Sequence, residues 1–165
     1  MKNTENIVGV IIGVDRVGEA DARVKILHDG GVRTATAVGV LNPAAKLKGA
    51  IQLFCVGEFT LIGQKIIGAY VTNTNFEIAS DVKRYYLGCA ICEVVARVYG
   101  SGFRLVCEAF LKLCDKEIGV REIFADFFTR LLRELGYDIL PRQDINSAYI
   151  QNLDIKIPYT NYFLS

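Results

Sequence analysis

The sequence predicts an α+β protein: an N-terminal β-barrel of five or so short strands over residues 1–79, then a small α-helical domain over residues 80–165. Three observations carry this. Up to Ser80 the apolar residues come in short runs broken by Gly, Asn and Pro, the pattern of strands and turns. Beyond Ser80 the apolar spacing changes to three and four residues, the period of an amphipathic helix. Several short strands within about 70 residues leave exposed edges unless the sheet closes, and closure into a barrel removes them.

The elements follow in order. Ile7 to Val14 (IVGVIIGV) is a continuous apolar run too short for a helix. Ala22 to Leu27 (ARVKIL) alternates apolar and charged residues, as a half-buried strand does. His28-Asp-Gly-Gly31 supplies a turn, and Val32 to Val40 reads as the next strand. After the loop marked by Asn42-Pro43, Ile51 to Phe54 (extending toward Val56) and Phe59 to Ile62 read as two strands around a turn at Gly57-Glu58. Lys65 to Thr72 is the last strand. Ser80 or Asp81 caps a helix running to Gly100, whose stripe is Leu87, Ile91, Val94, Val95 and Val98. Ser101 caps a second helix with Phe103, Val106, Phe110 and Leu113 on one face. The third, from Val120, keeps its apolar spacing through Leu135 and stops at Gly136. Asp144 begins a short fourth helix through Ile150, and the tail from Leu153 has no assignable pattern.

With 52% hydrophobic residues, a chain of 165 can build a genuine core. No apolar run reaches the roughly 18 residues of a membrane span, and the opening MKNTENIVGV has no signal-peptide pattern. Five cysteines, most of them in helical segments, fit a reducing compartment better than a disulfide framework, which predicts a cytoplasmic protein.

The formal net charge of +1 lacks the basic excess of a dedicated duplex binder. Any nucleic-acid site must come from local clustering. Between Asp29 and Glu58 there is no acid, and Arg33, Lys46 and Lys48 are the only charges.

Catalytic patterns are missing from the sequence. One histidine, His28, sits beside a turn, and there is no G-x-S-x-G, P-loop or H-E-x-x-H. The chain therefore reads as a non-enzyme without a cofactor. Glu19 and Asp21 are better explained by solvation of a strand end than by acid–base work. Cys89-x-x-Cys92 has the spacing of half a zinc site, but no second pair completes it, and small core residues are the favoured reading. Phe103, Phe110, Phe124, Phe127 and Phe128 keep helical spacing and belong to a core. Core packing is also favoured for Phe54 and Phe59, whereas Tyr70 is the aromatic expected to offer an exposed face to a base.

Three stretches resemble one family. VGEADARVKIL (17–27) resembles the segment opening the second strand in the bacterial recombination mediator RecO, where G-E-A-D recurs. KLKGAIQLF (46–54) resembles that family's L-x-G-x-L-Q-P-F, with Leu53 in place of proline. FTRLLRELGYDI (128–139) resembles its helix ending L-L-x-x-L-G-Y. Order and spacing agree over about residues 7–140. The resemblance implies an OB-fold followed by helices, and a non-catalytic protein of DNA repair and recombination. Such a protein binds single-stranded and duplex DNA, anneals strands, and docks RecR and the C-terminal tail of the single-stranded-DNA-binding protein to help load RecA. It also implies association with the nucleoid.

Here the chain departs from the family in several places. The stretch Val38–Ala45 is uncharged where relatives are basic, leaving Arg33, Lys46 and Lys48, aided by Arg16, Arg23, Lys25 and Lys65, to bind DNA. Ala125 and Asp126 stand where many relatives place arginines near the partner's tail, with Arg121 and Arg130 as substitutes. The zinc-binding cysteine cluster that many relatives carry after G-Y has no counterpart, and the relatives are longer, so the chain resembles a shortened member without most of the second half of their helical domain. The alternative is a protein-interaction adaptor on the same scaffold with little DNA binding.

Overall fold

The structure is a computed structural model, and it describes residues 3–98 and 102–137. The chain divides into two compact units, Met1–Asn75 and Phe76–Ser165. A five-stranded sheet is followed by three α-helices among the described residues, an α+β layout.

The strands are β1 (Thr4–Val17), β2 (Asp21–His28), β3 (Gly31–Ala37), β4 (Val56–Ile62) and β5 (Lys65–Asn73). The sheet closes on itself in the order β1-β2-β3-β5-β4. At 14 residues β1 serves both ends of this order: Thr4 to Val10 pair with β4, and Gly9 to Val17 pair with β2. A register shift between Ile11 and Gly13 bends the strand where it changes partner. Between β3 and β5 the ring closes through one parallel bridge, Thr36↔Lys65. The interior is filled by Ile7, Ile11, Val24, Ile26, Phe59, Leu61 and Ile66, the inward half of each alternating strand.

Three sequence expectations are corrected here. First, β3 ends at Ala37 rather than Val40. Second, Ile51 to Phe54 is a set of turns, not a strand. The Ile51 N–H donates to the Leu47 carbonyl (3.0 Å), the Cys55 N–H donates to Gln52 (3.2 Å), and Phe54 has a φ of 74°. The Ile51 N–H is thus used within its own turn, and the Phe54 N–H makes a single bond to the Ile11 carbonyl on β1 (3.0 Å) where a strand would make a ladder. Leu47 and Ile51 nonetheless pack on the barrel core, while Phe54 is buried outside that cluster. Third, Gly57-Glu58 lies within β4 and is not a turn.

The second unit opens with a 3₁₀ helix at Phe76–Ser80, so the division falls four residues before the expected one. Helix α1 (Val82–Arg97) is capped by Asp81, whose Oδ1 accepts from the Arg84 N–H at 2.9 Å. It ends before the expected Gly100, which lies outside the described residues together with Ser101. Helix α2 (Phe103–Cys114) has Gly102 at its N-cap. Helix α3 (Val120–Glu134) ends as expected at Gly136: the Gly136 N–H donates to Arg133 (3.0 Å) and the Tyr137 N–H to Leu132 (2.9 Å), with Gly136 at φ 87°. Leu87, Ile91, Val94, Val95, Val106, Phe110, Leu113, Phe127 and Phe128 are buried. Phe103 is only half-buried, at the start of α2. The expected fourth helix at 144–150 and the tail from 153 lie outside the described residues.

Candidate nucleic-acid interface

Antiparallel partners share a face of the sheet, so the register locates the outward cations. Asp15 pairs with Arg23, Arg23 with Thr36, Thr36 with Lys65, Lys65 with Ile62, and Ile62 with Thr4. This is one continuous row running round the outside of the ring. In the next row Gly13 pairs with Lys25 and Lys25 with Thr34. Neighbouring strands lie about 4.8 Å apart, which puts the backbones of Arg23 and Lys65 roughly 10 Å apart. Arg23 and Lys65 are exposed. Lys25 lays its stem over Gly13, where an added Cβ would stand 3.4 Å from its Cδ. Among the described residues no acid lies within ion-pair distance of these three cations. The structure thus brings together Arg23, Lys25 and Lys65 of the expected set, framed by two threonines that can donate to an anion.

Arg33 is placed differently. It pairs with the inward Ile26, and Glu5 pairs with the inward Leu61, so both point in at the same mouth of the barrel. Arg33 Nη2 meets Glu5 Oε2 at 3.4 Å and donates to the Gly63 carbonyl at 3.2 Å. Its charge is partly spent on closing that mouth. Arg16 donates to the carbonyls of Gly18 and Glu19 (both 3.1 Å) and so braces the β1–β2 turn.

Lys46 and Lys48 are exposed on the turns joining β3 to β4 and make no side-chain hydrogen bond or ion pair among the described residues. That connection is tied down at its start. The Gly39 N–H donates to Asp21 Oδ1 (2.7 Å) and the Leu41 N–H to the Ala20 carbonyl (2.9 Å). Asp21 is therefore an anchor for the loop that carries both lysines.

Tyr70 is 72% exposed, on the outer face of β5 beside Glu58. Phe59 is fully buried, as is nearly all of Phe54.

In the helical unit Arg121 is exposed. Arg130 lies in an ion cluster between α2 and α3: Nη1 is 2.6 Å from Glu108 and 3.6 Å from Asp126, while Lys112 Nζ is 2.7 Å from Asp126. The hydrogen bond from Arg130 holds the Glu108 carboxyl below its ordinary range, and that from Lys112 does the same for Asp126. A cleft of about 470 Å³ beside this cluster is lined by Lys112, Ile118, Glu122, Ala125, Thr129 and Arg133 among others. Asp126 is thus the acid that bridges Lys112 and Arg130 in the cluster.

The C-x-x-C pair lies on α1 with both thiols buried. Burial pushes Cys89 up and Cys92 far up, which favours the protonated form over the thiolate a metal requires. Among the described residues no three metal-ligating side chains come together, and no helix is long and apolar enough to cross a membrane.

Sequence reasoning missed Glu5, the loop-anchoring role of Asp21 (expected only to solvate a strand end), and the hollow at the β4–β5 turn lined by Asn3, Ile62, Gly63, Gln64, Lys65 and Ile67. Each depends on cross-strand register, for which a single strand carries no signal. In comparisons with known proteins, no family model matches this sequence and no curated protein matches it significantly.

Proposed function

We propose that the chain is a RecO-like DNA repair and recombination mediator that binds single-stranded DNA without catalysis. The observation that supports this best is the outward row through Arg23 and Lys65, with Lys25 in the row beside it, on a closed five-stranded sheet. We take that sheet to be an OB-fold, in which the second and third strands and the β1–β2 and β4–β5 loops face an oligonucleotide. Arg23 and Lys25 are on the second strand, and Lys65 leaves the β4–β5 turn. Lys46 and Lys48 add charge from the β3–β4 connection, and Arg33 from the barrel mouth. The Thr34 and Thr36 hydroxyls supply neutral donors. In this reading Arg121 and the cleft beside Arg130 dock the C-terminal tail of the single-stranded-DNA-binding protein, RecR is a further partner, and the protein works at the nucleoid.

Fluorescence anisotropy with a labelled oligothymidine tests it. Binding at low salt should weaken with a slope of at least about −2 in log K against log salt, from the three phosphate contacts of Arg23, Lys25 and Lys65 at roughly −0.7 each, with Lys46 and Lys48 making it steeper. Arg23→Glu with Lys65→Glu should make that slope shallower by about 1.4 or more. An affinity indifferent to salt and to both substitutions sinks the proposal.

A second reading, a protein adaptor with little DNA binding, draws on the commitment of Arg33 and Arg130 to acids within the chain. Recovery of a protein partner after nuclease treatment, together with no measurable DNA binding at low salt, favours the adaptor.

A further inference from the structure

The outward row does not stop at its last cation. From Lys65 it continues to Ile62 and Thr4, and beside these residues lies a hollow of about 700 Å³. Its walls are of two kinds. Ile62 and Ile67 are aliphatic, and Ile67 is 52% exposed at the register shift of β5 between the Ile66 and Gly68 pairings. Asn3 and Gln64 carry amides, each with two donors and an acceptor. The Gln64 carbonyl accepts from the Thr36 N–H at 2.7 Å and the Gly63 carbonyl from Arg33 at 3.2 Å, which fixes the backbone of the turn that forms the floor. Lys65 stands at the rim, on the side where the row leads back to Thr36 and Arg23.

We propose that this hollow seats a single nucleobase of a bound single strand, with the adjacent phosphate at Lys65. The inference rests on the reading of the barrel as a single-strand binder and adds the place where a base, rather than the backbone, is held. A base has a flat apolar face and a polar edge. Ile62 and Ile67 cover the face, and the Asn3 and Gln64 amides meet the edge. Because an amide can present either its donors or its acceptor, the seat favours a base over an abasic position without strongly selecting which base. Aliphatic walls bind a base face by area burial, more weakly than aromatic stacking does. The hollow therefore contributes to placing the strand, while the cations dominate affinity. A neutral extended peptide would place an apolar side chain in the same hollow but would have no use for the cations that lead to it.

The test compares an oligothymidine with the same oligomer made entirely of abasic sugar-phosphate units, on the full-length chain at low salt. The wild type should bind the base-containing strand tighter. Ile67→Ser with Gln64→Ala should weaken that binding by about fivefold and leave the abasic strand unchanged. Ile67 and Gln64 are exposed, so the variant should keep its far-ultraviolet circular dichroism and melting temperature. A 2-aminopurine in the strand should lose its fluorescence change on the same variant. Equal loss for both strands, or no loss for either, overturns the base seat while leaving the single-strand reading standing. A wild type that binds neither strand overturns both, and direct binding of an apolar peptide that is lost in Ile67→Ser would in that case identify the peptide as occupant.

Discussion

Arg84 shows what one side chain can fix. It is 8% exposed, and its guanidinium donates to the carbonyls of Leu113 (2.9 Å), Lys116 (3.2 Å) and Ile118 (2.8 Å). The end of α2 and the turn into α3 thus rest on one cation, placed where the exposed carbonyls of a helix end favour positive charge. Removing it leaves several buried acceptors without donors. Arg84→Met should cost about 3 kcal/mol in urea unfolding, and Arg84→Lys should recover only part, because an ammonium cannot match the planar fork. A cost within about 0.5 kcal/mol would mean that the carbonyls find other donors. This residue was legible in principle, since position 84 precedes Leu87 and Ile91 on the same helical stripe, but its three acceptors come from a distant segment. Cys114 makes a second residue-scale case. Burial, then the charge and hydrogen bond of Glu77, push its thiol up to about 11. The thiolate is the form that reacts, so labelling of Cys114 at pH 8 should be roughly a thousandfold below that of a full thiolate. Glu77→Gln should speed it, as mass spectrometry of the labelled peptide would show, and an unchanged rate would remove Glu77 as a cause.

At the scale of elements, the helices and the alternating strands were readable because their signal is local. Ala22 to Leu27 announced its two faces through period-2 alternation, and α3 its stripe and its glycine stop. The run Ile51 to Phe54 was misread because an apolar run with turns on either side looks alike whether it pairs in a sheet or plugs a barrel. What decided it was Leu47 and Ile51 packing on the core from a chain of local turns. Gly57 was misread for a different reason. It is needed for close approach and not for a turn: a Cβ there would stand 2.4 Å from the Tyr70 carbonyl oxygen on β5. Gly57→Ala should therefore cost about 2 kcal/mol or more and perturb the β4–β5 amide signals first in a heteronuclear spectrum. A neutral substitution would contradict that packing. The α2–α3 ion cluster has a pH signature. Asp126 and Glu108 have folded pKa values below their unfolded ones, so their contribution is present above the ordinary carboxylate range and disappears as pH falls through the depressed values. The gap in melting temperature between wild type and Asp126→Asn should be small at pH 6, because both partners of the Lys112–Asp126 pair are over a third exposed. It should close further toward pH 3, and a gap that widens on acidification would assign the wrong sign to the cluster.

For the whole molecule, charge is arranged more tellingly than it is counted. A net charge of +1 gave no sign of a nucleic-acid site, and the acid-free window from 30 to 57 pointed to Lys46 and Lys48, which do lie exposed on one connection. The row formed by Arg23, Thr36 and Lys65 was invisible in the sequence, because those residues are spread over more than forty positions and only sheet register assembles them. Arg33 is the cation whose availability depends on the fold as a whole. Glu5 enters from the start of β1 and holds it at the barrel mouth, while its other contact is the Gly63 carbonyl, part of the turn beside Lys65. The pair is solvent-exposed, at 40% and 53%, so it contributes little to stability. Its main effect is to neutralise one positive charge near the row. Glu5→Gln should accordingly leave the melting temperature nearly unchanged and raise single-strand affinity about threefold at low salt, with the salt slope steeper by about 0.7. Arg33→Gln in the same background should return both affinity and slope to their original values. If Glu5→Gln changes neither quantity, Arg33 is a structural closure of the barrel mouth and its charge takes no part in binding DNA.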